Sequence, residues 1–400
     1  MKNMTSQADQ SRADLSARIC EDNMKKFTPL FLSALLFTSC SAAESNNSAA
    51  PTAFESESLR PECAYSYAPL NYEAPVGMWL PYMLYEDILA GKTADEFRAA
   101  IAEKLTAAQS EGVNTVYVHV RPNGDAYYDS DIFPRGAFCG SSFDPFAIIL
   151  DEAHSLGISV HAWINPLRLQ TVQQMNELPQ EFTTKQWYDS QNGRIKQVGE
   201  RLWLDPSYEE TRGLIAEGVR EIVQKYEVDG VHIDDYFYPT TEPSFDADEF
   251  AASGSDDLSA WRIGNINSLV RLLHDTVKEC DCRLLFGISP QGNIESDYSS
   301  QYADVRLWAA SGDYCDYIVP QLYFGFRNES CPFMETLAEW ESLTGDEVKL
   351  VIGLAPYKVG KADKWAGAGG ESEWTDDPDV IAKQIAAVLS STADGYALYY

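Results

Sequence analysis

The sequence contains few basic residues. Its 400 residues include 30 Lys and Arg against 61 Asp and Glu, which gives a net charge of −31. A protein that binds nucleic acid by neutralising phosphates needs the opposite balance, and the same deficit disfavours electrostatic docking on anionic lipid. The chain is rich in apolar residues instead, with 45% hydrophobic and 12% aromatic residues. This composition excludes a chain that is disordered throughout and predicts a globular protein with a large core.

Residues 24–40 resemble a bacterial lipoprotein signal. Lys25 and Lys26 precede an apolar run of about 11 residues, Phe27 to Phe37, and small residues then lead to Cys40. The run is too short to span a bilayer as a helix, since a span needs about 20 residues. We therefore predict lipidation at Cys40, so that the protein is anchored to a membrane in the bacterial cell envelope, outside the cytoplasm. A cleaved signal with an incidental cysteine is the alternative.

The segments around this signal differ in composition. Residues 1–23 are polar and unpatterned, and we interpret them as an extension upstream of the expected start at Met24. Residues 41–70 begin with a stretch rich in Ser, Ala, Asn and Glu, which is typical of a flexible tether. The folded domain is therefore predicted over residues 71–400.

Six cysteines lie beyond the leader. In an exported protein an even number of cysteines allows disulfides, here up to three, but the spacing leaves their pairing open and fewer bridges or none are compatible with a large fold. The six are Cys63, Cys139, Cys280, Cys282, Cys315 and Cys331.

From Val76 onward, short apolar runs alternate with longer segments of helical period. Eight alternations predict a (β/α)₈ TIM barrel. A Rossmann fold is disfavoured, because no glycine-rich phosphate turn follows the first strand. The predicted strands are Val76–Pro81, Asn114–Arg121, Ile158–Asn165, Gly230–Asp235, Arg283–Ser289, Tyr317–Tyr323, Lys349–Ala355 and Tyr396–Tyr400. The clearest helical segments are Ala94–Gln109, Phe146–Leu156, Thr211–Tyr226, Trp261–Lys278 and Ile381–Leu389.

The last predicted strand runs into Tyr400, so the final helix of the barrel is missing from the sequence. Either the chain is a fragment or the barrel closes without that helix. The two longest interruptions, residues 167–204 and 236–259, follow the third and fourth strands. Both are expected on the catalytic face of the barrel, where long loops build substrate clefts.

Alternation along the strands separates an apolar face from a polar one. Both faces of a barrel strand are buried, so the apolar set must face the helices and the polar set must line the lumen near the catalytic rim. A structural role is the alternative for each histidine of the polar set. Arg121 either binds the substrate or pairs with an aspartate such as Asp234. Substrate contacts are expected from Arg121, His161, Trp163, Asn165, His232, Gln321 and Tyr323.

The segment 229–239 carries adjacent carboxylates, Asp234 and Asp235, at the end of a strand and ahead of three aromatic residues. Carboxylates donate protons and stabilise or trap an oxocarbenium-like centre, and aromatic faces stack on sugar rings, so the pattern suits sugar chemistry. By alternation Asp234 points into the lumen and is the predicted nucleophile or stabiliser. Asp235 is a candidate acid/base or orients its neighbour, and Tyr236 is a candidate sugar contact.

An acid and base pair needs a second carboxylate from another strand. Glu295, in the loop after the fifth strand, is the best placed candidate, with Glu86 and Asp87 after the first strand as alternatives. Asp125 lies in the second rim loop and is a predicted substrate contact, although Asn-Gly-Asp is also an ordinary turn.

Six segments in order resemble the glycosyl hydrolase-like family 10 lipoproteins, and the resemblance covers about Val76 to Tyr400. It implies a TIM-barrel glycosidase of the bacterial envelope, and the family includes an enzyme that acts on peptidoglycan glycan strands stripped of their peptides. It also implies that Asp234 stands where the nucleophile lies in related retaining glycosidases. Strand one departs from the family, since residues 76–80 replace the more typical Arg-x-x-Trp opening. The matching segments are residues 112–125, 161–166, 203–206, 229–239, 287–292 and 320–323.

Three functions remain open at this level. The first is a glycoside hydrolase that cuts a polysaccharide by carboxylate chemistry without a metal or other cofactor. The second is a metal-dependent hydrolase, and the third is a non-catalytic glycan-binding lipoprotein. Nucleic acid is not an expected partner, and the oligomeric state stays open. The metal ligands would be His119, His161, His232 and Asp234, and the stacking residues of the third function would be Trp163, Tyr236, Tyr238 and Tyr323.

Overall fold

The computed structural model describes residues 67–140 and 142–400. Its strands are β1 (Val76–Leu80), β2 (Thr115–Arg121), β3 (Ser159–Ile164), β4 (Arg168–Thr171), β5 (Ile195–Val198), β6 (Arg201–Leu204), β7 (Gly230–Ile233), β8 (Leu285–Ile288), β9 (Tyr317–Ile318), β10 (Lys349–Leu354) and β11 (Gly395–Leu398). Eight of them form a closed parallel barrel in the order β1-β11-β10-β9-β8-β7-β3-β2. The predicted TIM barrel is therefore confirmed, and each barrel strand overlaps a predicted one.

Helices surround the barrel and fill its long connections. They are α1 (Leu84–Ile88), α2 (Ala94–Ser110), α3 (Pro145–Ser155), α4 (Val172–Glu177), α5 (Thr183–Ser190), α6 (Glu209–Lys225), α7 (Ala247–Ser253), α8 (Leu258–Cys280), α9 (Ile294–Ser300), α10 (Val305–Ala310), α11 (Phe333–Leu343), α12 (Glu373–Asp376) and α13 (Val380–Leu389). The five helical segments singled out from the sequence correspond to α2, α3, α6, α8 and α13. Local chemistry fixes their starts: α2 begins with a capping box in which Thr93 and Glu96 bond each other's backbone N–H.

The loop after β3 folds into a separate three-stranded antiparallel sheet that the sequence did not predict. β6 lies in its centre and pairs with β4 on one side and β5 on the other. Arg168 opens β4 and stands opposite Trp203 of β6. Because this sheet grows from the carboxyl end of a barrel strand, it adds a wall to the catalytic face.

The barrel contains two separate apolar clusters, as strand alternation requires. Val116 and Val118 of β2 pack outward into the cluster that includes Phe97 of α2. The other cluster fills the lumen, and glycine makes room for it: a Cβ on Gly287 would lie 1.9 Å from the ring of Tyr317. The luminal cluster consists of Trp79, Tyr117, Trp163, Tyr317, Val319, Val351 and Ala397. The lumen is thus a packed aromatic core that closes the barrel beneath the catalytic rim.

The opposite end of the barrel is held by the buried carboxylate of Asp229. It accepts hydrogen bonds from the Tyr67 hydroxyl, the Leu70 backbone N–H and the Val160 backbone N–H, each at 2.6 Å. His154 contacts its second oxygen at 3.0 Å. Residues 67–70, which the sequence analysis placed in the tether, therefore pack against the base of the barrel.

Several sequence predictions lie outside the described residues. The lipoprotein signal, the lipidation site at Cys40, the extension 1–23 and most of the tether belong to the undescribed part of the chain. Within the described ranges, no helix has the length and apolar character needed to cross a membrane. The thiols of four described cysteines are free: Cys139, Cys280, Cys315 and Cys331.

Candidate active site

The adjacent carboxylates lie at the carboxyl end of β7, at the mouth of the barrel. The strand ends at Ile233, so the chain has already turned when it reaches them. Asp234 is 3% exposed and accepts the backbone N–H of Tyr236 at 3.4 Å. Asp235 is half-buried. Its side chain interacts with two glutamines that follow β8 and β9, Gln291 and Gln321. The turn after β7 therefore brings both carboxylates to the same rim.

Burial raises the pKa of both carboxyl groups. Removal from water raises the pKa of Asp234 well above its ordinary value, and the negative charge of Asp235 adds to the effect. The Trp163 indole N–H and the Arg168 guanidinium lower this pKa, although that N–H has no partner in hydrogen-bond geometry among the described residues. Burial likewise raises the pKa of Asp235, and the side-chain interactions with the two glutamines lower it in part. The pair can therefore hold a proton at a pH where an exposed aspartic acid has lost it.

Trp163 lies next to Asp234, and the imidazole ring of His119 stacks on the indole ring of Trp163. The two rings are parallel, with centroids 3.6 Å apart and an angle of 10° between their planes. His119 Nε2 lies 3.2 Å from Oδ1 of Asn165, whose amide group also donates to the carbonyl of Pro122 at 3.0 Å. Asn165 is fully buried. Its side chain links the loops after β2 and β3 by hydrogen bonds. Asn165, predicted to contact the substrate, is therefore a structural residue.

Two of the predicted substrate-binding histidines belong to a hydrogen-bond chain inside the lumen. Trp79 Nε1 donates to Nε2 of His232 at 3.2 Å. The Tyr317 hydroxyl lies 3.1 Å from Nδ1 of His232 and 2.6 Å from Nδ1 of His161. Burial lowers the pKa of His232 well below its usual value and that of His161 to about 4. Both rings are therefore neutral and are engaged by protein groups below the rim, which favours the structural alternative for each.

The same geometry removes the ligand set of the metal-dependent alternative. Nδ1 of His161 and both ring nitrogens of His232 already have protein partners. His119 is stacked on Trp163 and contacts Asn165. Within residues 67–140 and 142–400, no group of three or more His, Cys, Asp or Glu side chains is arranged to hold a metal ion.

Arg121 is a structural residue as well. It is 1% exposed, lies 4.3 Å above the ring of Phe133 and donates to the carbonyl oxygen of Asn165 at 3.1 Å. Burial lowers its pKa to about 10. No ion pair joins it to Asp234 in the described part of the chain. The guanidinium ties β2 to the loop after β3, and neither predicted role fits this placement.

Glu295 does not reach the site. Its side chain is 77% exposed and forms an ion pair with Arg306 on the surface. The buried carboxyl of this region is Asp297, two residues further along α9 and on another face of the helix, which the sequence analysis missed. Asp297 is fully buried, accepts the backbone N–H of Gln291 at 3.2 Å, and its second oxygen has no partner among the described residues. Burial and the charge of Asp235 raise its pKa well above the ordinary value.

One side of the mouth, above β2 and β3, carries a cation. The guanidinium carbon of Arg168 lies 4.7 Å from the ring centroid of Tyr236. Burial opposes the charged form of Arg168, whereas Tyr236, Tyr82, Asp234 and Asp125 favour it. Asp235 interacts with the same guanidinium, which lowers the pKa of that carboxyl. Asp125 is 7% exposed, accepts the backbone N–H of Asn123 at 2.9 Å, and has a pKa raised by burial. Asp125 therefore stabilises its own turn, as one interpretation of the sequence held, and also lies near Arg168 at the edge of the site.

The other side of the mouth, above β9 to β11, carries uncharged aromatic rings. Tyr323 and Tyr399 are nearly parallel, with centroids 6.1 Å apart and an angle of 19°. Tyr357 stands almost perpendicular to both. The sequence analysis found Tyr323 but not the other two. Tyr399 lies two residues beyond the luminal Ala397, so the strand period could have found it, whereas Tyr357 and Asp297 follow turns that carry no such signal.

The fold and this geometry agree with the comparison with known families. Residues 76–368 match the glycosyl hydrolase-like 10 family. The chain belongs to this family. The match confirms the family predicted from the six sequence segments, and with it the enzyme class, glycoside hydrolase, at the level of the family.

Curated relatives in the glycosyl hydrolase-like 10 family carry names of the same class. Glycosyl hydrolase YngK of Bacillus subtilis is 30% identical over 325 residues, which make up 74% of this chain and 61% of YngK. Glycosyl hydrolase DigH of Escherichia coli K12 is 33% identical over 311 residues, which make up 68% of this chain and 70% of DigH. The chain thus spans about three-fifths of the length of YngK.

Solved structures share the barrel of this family member at low sequence identity. The glycoside hydrolase domain of PgaB from Bordetella bronchiseptica is 12% identical, with a TM-score of 0.50, and the match covers 82% of this chain and 94% of that one. The β-galactosidase of Rahnella sp. R3 is 11% identical, with a TM-score of 0.52, over 83% of this chain and 51% of that one. These likenesses show the fold.

Proposed function

We propose that the protein cleaves O-glycosidic bonds of a bacterial envelope polysaccharide by carboxylate acid/base chemistry, with peptide-free peptidoglycan strands as the candidate substrate. The observation that carries this proposal is the pair of adjacent carboxyls, Asp234 and Asp235, at the mouth of an aromatic barrel. Burial raises the pKa of both groups, so that one can hold a proton while the other is ionised at a pH above the titration of an exposed aspartic acid.

The two carboxyls have different surroundings and take different roles in the proposal. Burial and the charge of Asp235 raise the pKa of Asp234, and Trp163 and Arg168 offset part of that rise. Asp234 acts in its ionised form in the proposal and traps or stabilises positive charge at the anomeric carbon. Asp235 is more exposed and gives its proton to the leaving oxygen as the glycosidic C–O bond breaks. Water then adds to the anomeric carbon and its proton returns to Asp235, so one water is consumed for each bond cleaved.

The mouth of the barrel suits a substrate with several sugar rings. Aromatic faces stack on pyranose rings, and such faces lie both beside the carboxyl pair and across the mouth from it. Tyr236 follows β7 directly after the pair, whereas Tyr357 follows β10, which lies three strands from β7 in the eight-stranded ring. A single sugar contacts one side, while an oligosaccharide spans both.

The cellular location is part of the proposal. The lysines, the short apolar run and Cys40 of residues 24–40 support a lipid-anchored protein that works outside the cytoplasm, where envelope polysaccharides are found. This argument depends on the sequence alone, because those residues lie outside the described part of the chain.

Digestion of defined glycans tests the proposal. The full chain and its Asp234→Asn variant are incubated with peptide-free peptidoglycan, intact peptidoglycan and a neutral polysaccharide, and the products are identified by mass spectrometry. We expect new reducing ends with the wild type and a loss of at least about 10³-fold with Asp234→Asn, since the substitution removes the charge that stabilises the transition state.

Each competing function predicts a different result. A non-catalytic binding protein releases no reducing ends from any glycan and binds them equally well after Asp234→Asn. A metal-dependent hydrolase loses its activity on chelation and regains it with added divalent metal. Cleavage that survives chelation and disappears in Asp234→Asn supports the carboxylate mechanism against both.

A further inference from the structure

We propose that Arg168 forms a subsite for a single carboxylate carried by the sugar ring next to the cleaved bond. The inference rests on the proposed function and narrows its substrate to polysaccharides that contain a carboxylate-bearing sugar, such as a uronic acid or a sugar with a lactyl ether. It concerns a residue for which the sequence analysis assigned no contact.

The guanidinium of Arg168 has unused hydrogen-bond donors. Across residues 67–140 and 142–400 it makes no hydrogen bond and no ion pair, and its contact is with the face of Tyr236 at 4.7 Å. Arginine carries five N–H donors in a planar fork, and a half-buried guanidinium without acceptors loses hydration that nothing in the protein replaces. The ring of Tyr236 covers one face of the group, so its edge is left for a ligand in the mouth of the barrel.

Two neighbouring arginines, unlike Arg168, donate side-chain hydrogen bonds to protein oxygens. Arg201 donates to Oδ1 of Asn123 at 2.8 Å and to the carbonyl of Leu169 at 3.0 Å. Arg121 donates to the carbonyl of Asn165 at 3.1 Å. The guanidinium groups of Arg121 and Arg201 therefore bind loops at the rim of the barrel. Burial lowers the pKa of Arg201 to about 10, and repulsion from the positive charge of Arg168 adds to the effect.

Arg168 places a positive charge at the mouth of a strongly acidic protein. The chain has a net charge of −31, so an anionic polymer is repelled by most of the surface. The open guanidinium of Arg168 creates an exception at one edge of the mouth, because clefts with low-dielectric walls focus the field of the charges that line them. An anionic group on the substrate is therefore attracted to this edge of the mouth and repelled by the rest of the surface. This difference also orients the polymer in the site.

The carboxyl groups near Arg168 limit how much negative charge a ligand can bring to this subsite. Asp234, Asp125 and Asp235 all lie near Arg168 and offset part of its charge. A dianion such as a phosphate monoester would meet these acids with one guanidinium to compensate. A carboxylate carries one negative charge, and its two oxygens match two parallel N–H groups of the guanidinium fork.

Matched substrates test the subsite. Peptide-free peptidoglycan strands are used in two forms, one with free lactyl carboxylates and one in which carbodiimide activation and borohydride have reduced them to alcohols. The ratio of kcat/KM for the two forms is measured on the pH plateau for the full-length wild type, Arg168→Gln and Arg168→Lys. Arg98→Gln, which removes a surface guanidinium paired with Asp151 and Glu152, is the control.

We expect the wild type to prefer the free carboxylate by roughly 10- to 100-fold, since a charge-assisted hydrogen bond is lost with the reduced form. The ratio falls to about one in Arg168→Gln, is intermediate in Arg168→Lys and is unchanged in Arg98→Gln. Equal rates on both forms in the wild type overturn the inference. So does a loss in Arg168→Gln that is equal for both forms, because the guanidinium then serves Asp234 rather than the substrate.

A binding measurement separates this inference from the proposed function. The Asp234→Asn variant is titrated calorimetrically with both forms of the strands and with an oligogalacturonate. Preferential binding of carboxylated glycans supports the subsite even when the wild type cleaves none of them, a result that would refute the proposed function alone. Equal affinity for the two strand forms, or no binding of any carboxylated glycan, overturns the subsite.

Discussion

The indole N–H of Trp79 donates to Nε2 of His232 at 3.2 Å. An indole nitrogen can only donate, so Nε2 of this neutral ring carries no proton and Nδ1 does. Nδ1–H then donates to the Tyr317 oxygen at 3.1 Å, and the Tyr317 hydroxyl donates to Nδ1 of His161 at 2.6 Å. The direction of every hydrogen bond in this buried chain is thereby fixed, and both histidines are held as neutral structural groups.

Tyr317→Phe is expected to destabilise the protein while preserving its shape. The substitution leaves two buried imidazole nitrogens without partners, and each unsatisfied group costs about 1–3 kcal/mol. Urea denaturation followed by circular dichroism measures the loss. Tyr298→Phe, at a ring that is 40% exposed, is the matched control and should change stability by less than about 0.5 kcal/mol. Equal stability of Tyr317→Phe and wild type would contradict the assigned chain.

Asp234→Asn is expected to raise the thermal stability at pH 7. The folded protein raises the pKa of Asp234 well above its ordinary value of 3.8, so the folded state binds this proton more tightly than the unfolded state. The contribution of Asp234 to the free energy of unfolding is therefore full below pH 3.8, and it is lost as the pH rises through the pKa of the folded state. Asn removes the buried charge, and each 1 kcal/mol of relief corresponds to about 2 °C in Tm.

Calorimetry at several pH values measures this difference. The advantage of Asp234→Asn over the wild type should shrink steadily as the pH is lowered from 7 towards 4.5. An advantage that is independent of pH would mean that packing, and not the buried charge, produces it.

The activity should fall on the acid side at a pH above that of an ordinary carboxylate. Asp234 must be ionised to act on the anomeric carbon, and its raised pKa moves that requirement to higher pH. Because Arg168 lowers this pKa, Arg168→Gln should move the acid limb of kcat/KM to higher pH still. The profile is measured with carboxyl-reduced strands, so that the substrate does not titrate. An unmoved or lowered limb would contradict the assigned interaction.

Asp235→Asn and Glu295→Gln separate the two candidates for the second carboxylate. Asp235→Asn removes the proposed proton donor and is expected to lower kcat by about 10²–10⁴-fold. Glu295 is 77% exposed and paired with Arg306, so Glu295→Gln should leave kcat within about twofold. Initial rates of reducing-end release decide between them, and a large loss in Glu295→Gln would restore the role predicted from the sequence.

The buried ion pair of Arg262 and Asp246 should anchor the long loop after β7. Both side chains are fully buried, and Arg262 Nε lies 2.9 Å from Oδ2 of Asp246. Arg262→Met leaves a buried charge without its partner, which costs about 3–5 kcal/mol. The double variant Arg262→Met with Asp246→Asn should recover part of that loss in urea denaturation.

An exposed pair provides the control for this experiment. Arg271 and Asp275 are 54% and 52% exposed and 3.9 Å apart. Arg271→Gln should change stability by less than about 0.5 kcal/mol. A double variant as unstable as the sum of its two single variants would show that the buried residues act independently.

The barrel could be read from local patterns along the chain. Strand period and helix period are local properties, so all eight strands and five helices were predicted in place, although the strand predicted over Tyr317–Tyr323 ends at Ile318. Alternation predicts that Asp234 points into the lumen after His232, but β7 ends at Ile233, and the turn that follows brings both Asp234 and Asp235 to the rim. The six family segments depend on residue identity, which the chain displays directly.

Contacts between distant segments determine which polar groups are available for chemistry. Alternation places His161, His232, Asn165 and Arg121 inside the barrel, but each of them is hydrogen-bonded to groups from other strands and loops. The same long-range packing leaves Arg168 open, buries Asp297 and exposes Glu295, although the last two are only two residues apart. Hydrogen bonding and burial depend on neighbours that are distant in the chain, whereas strand and helix patterns depend on neighbours that are close.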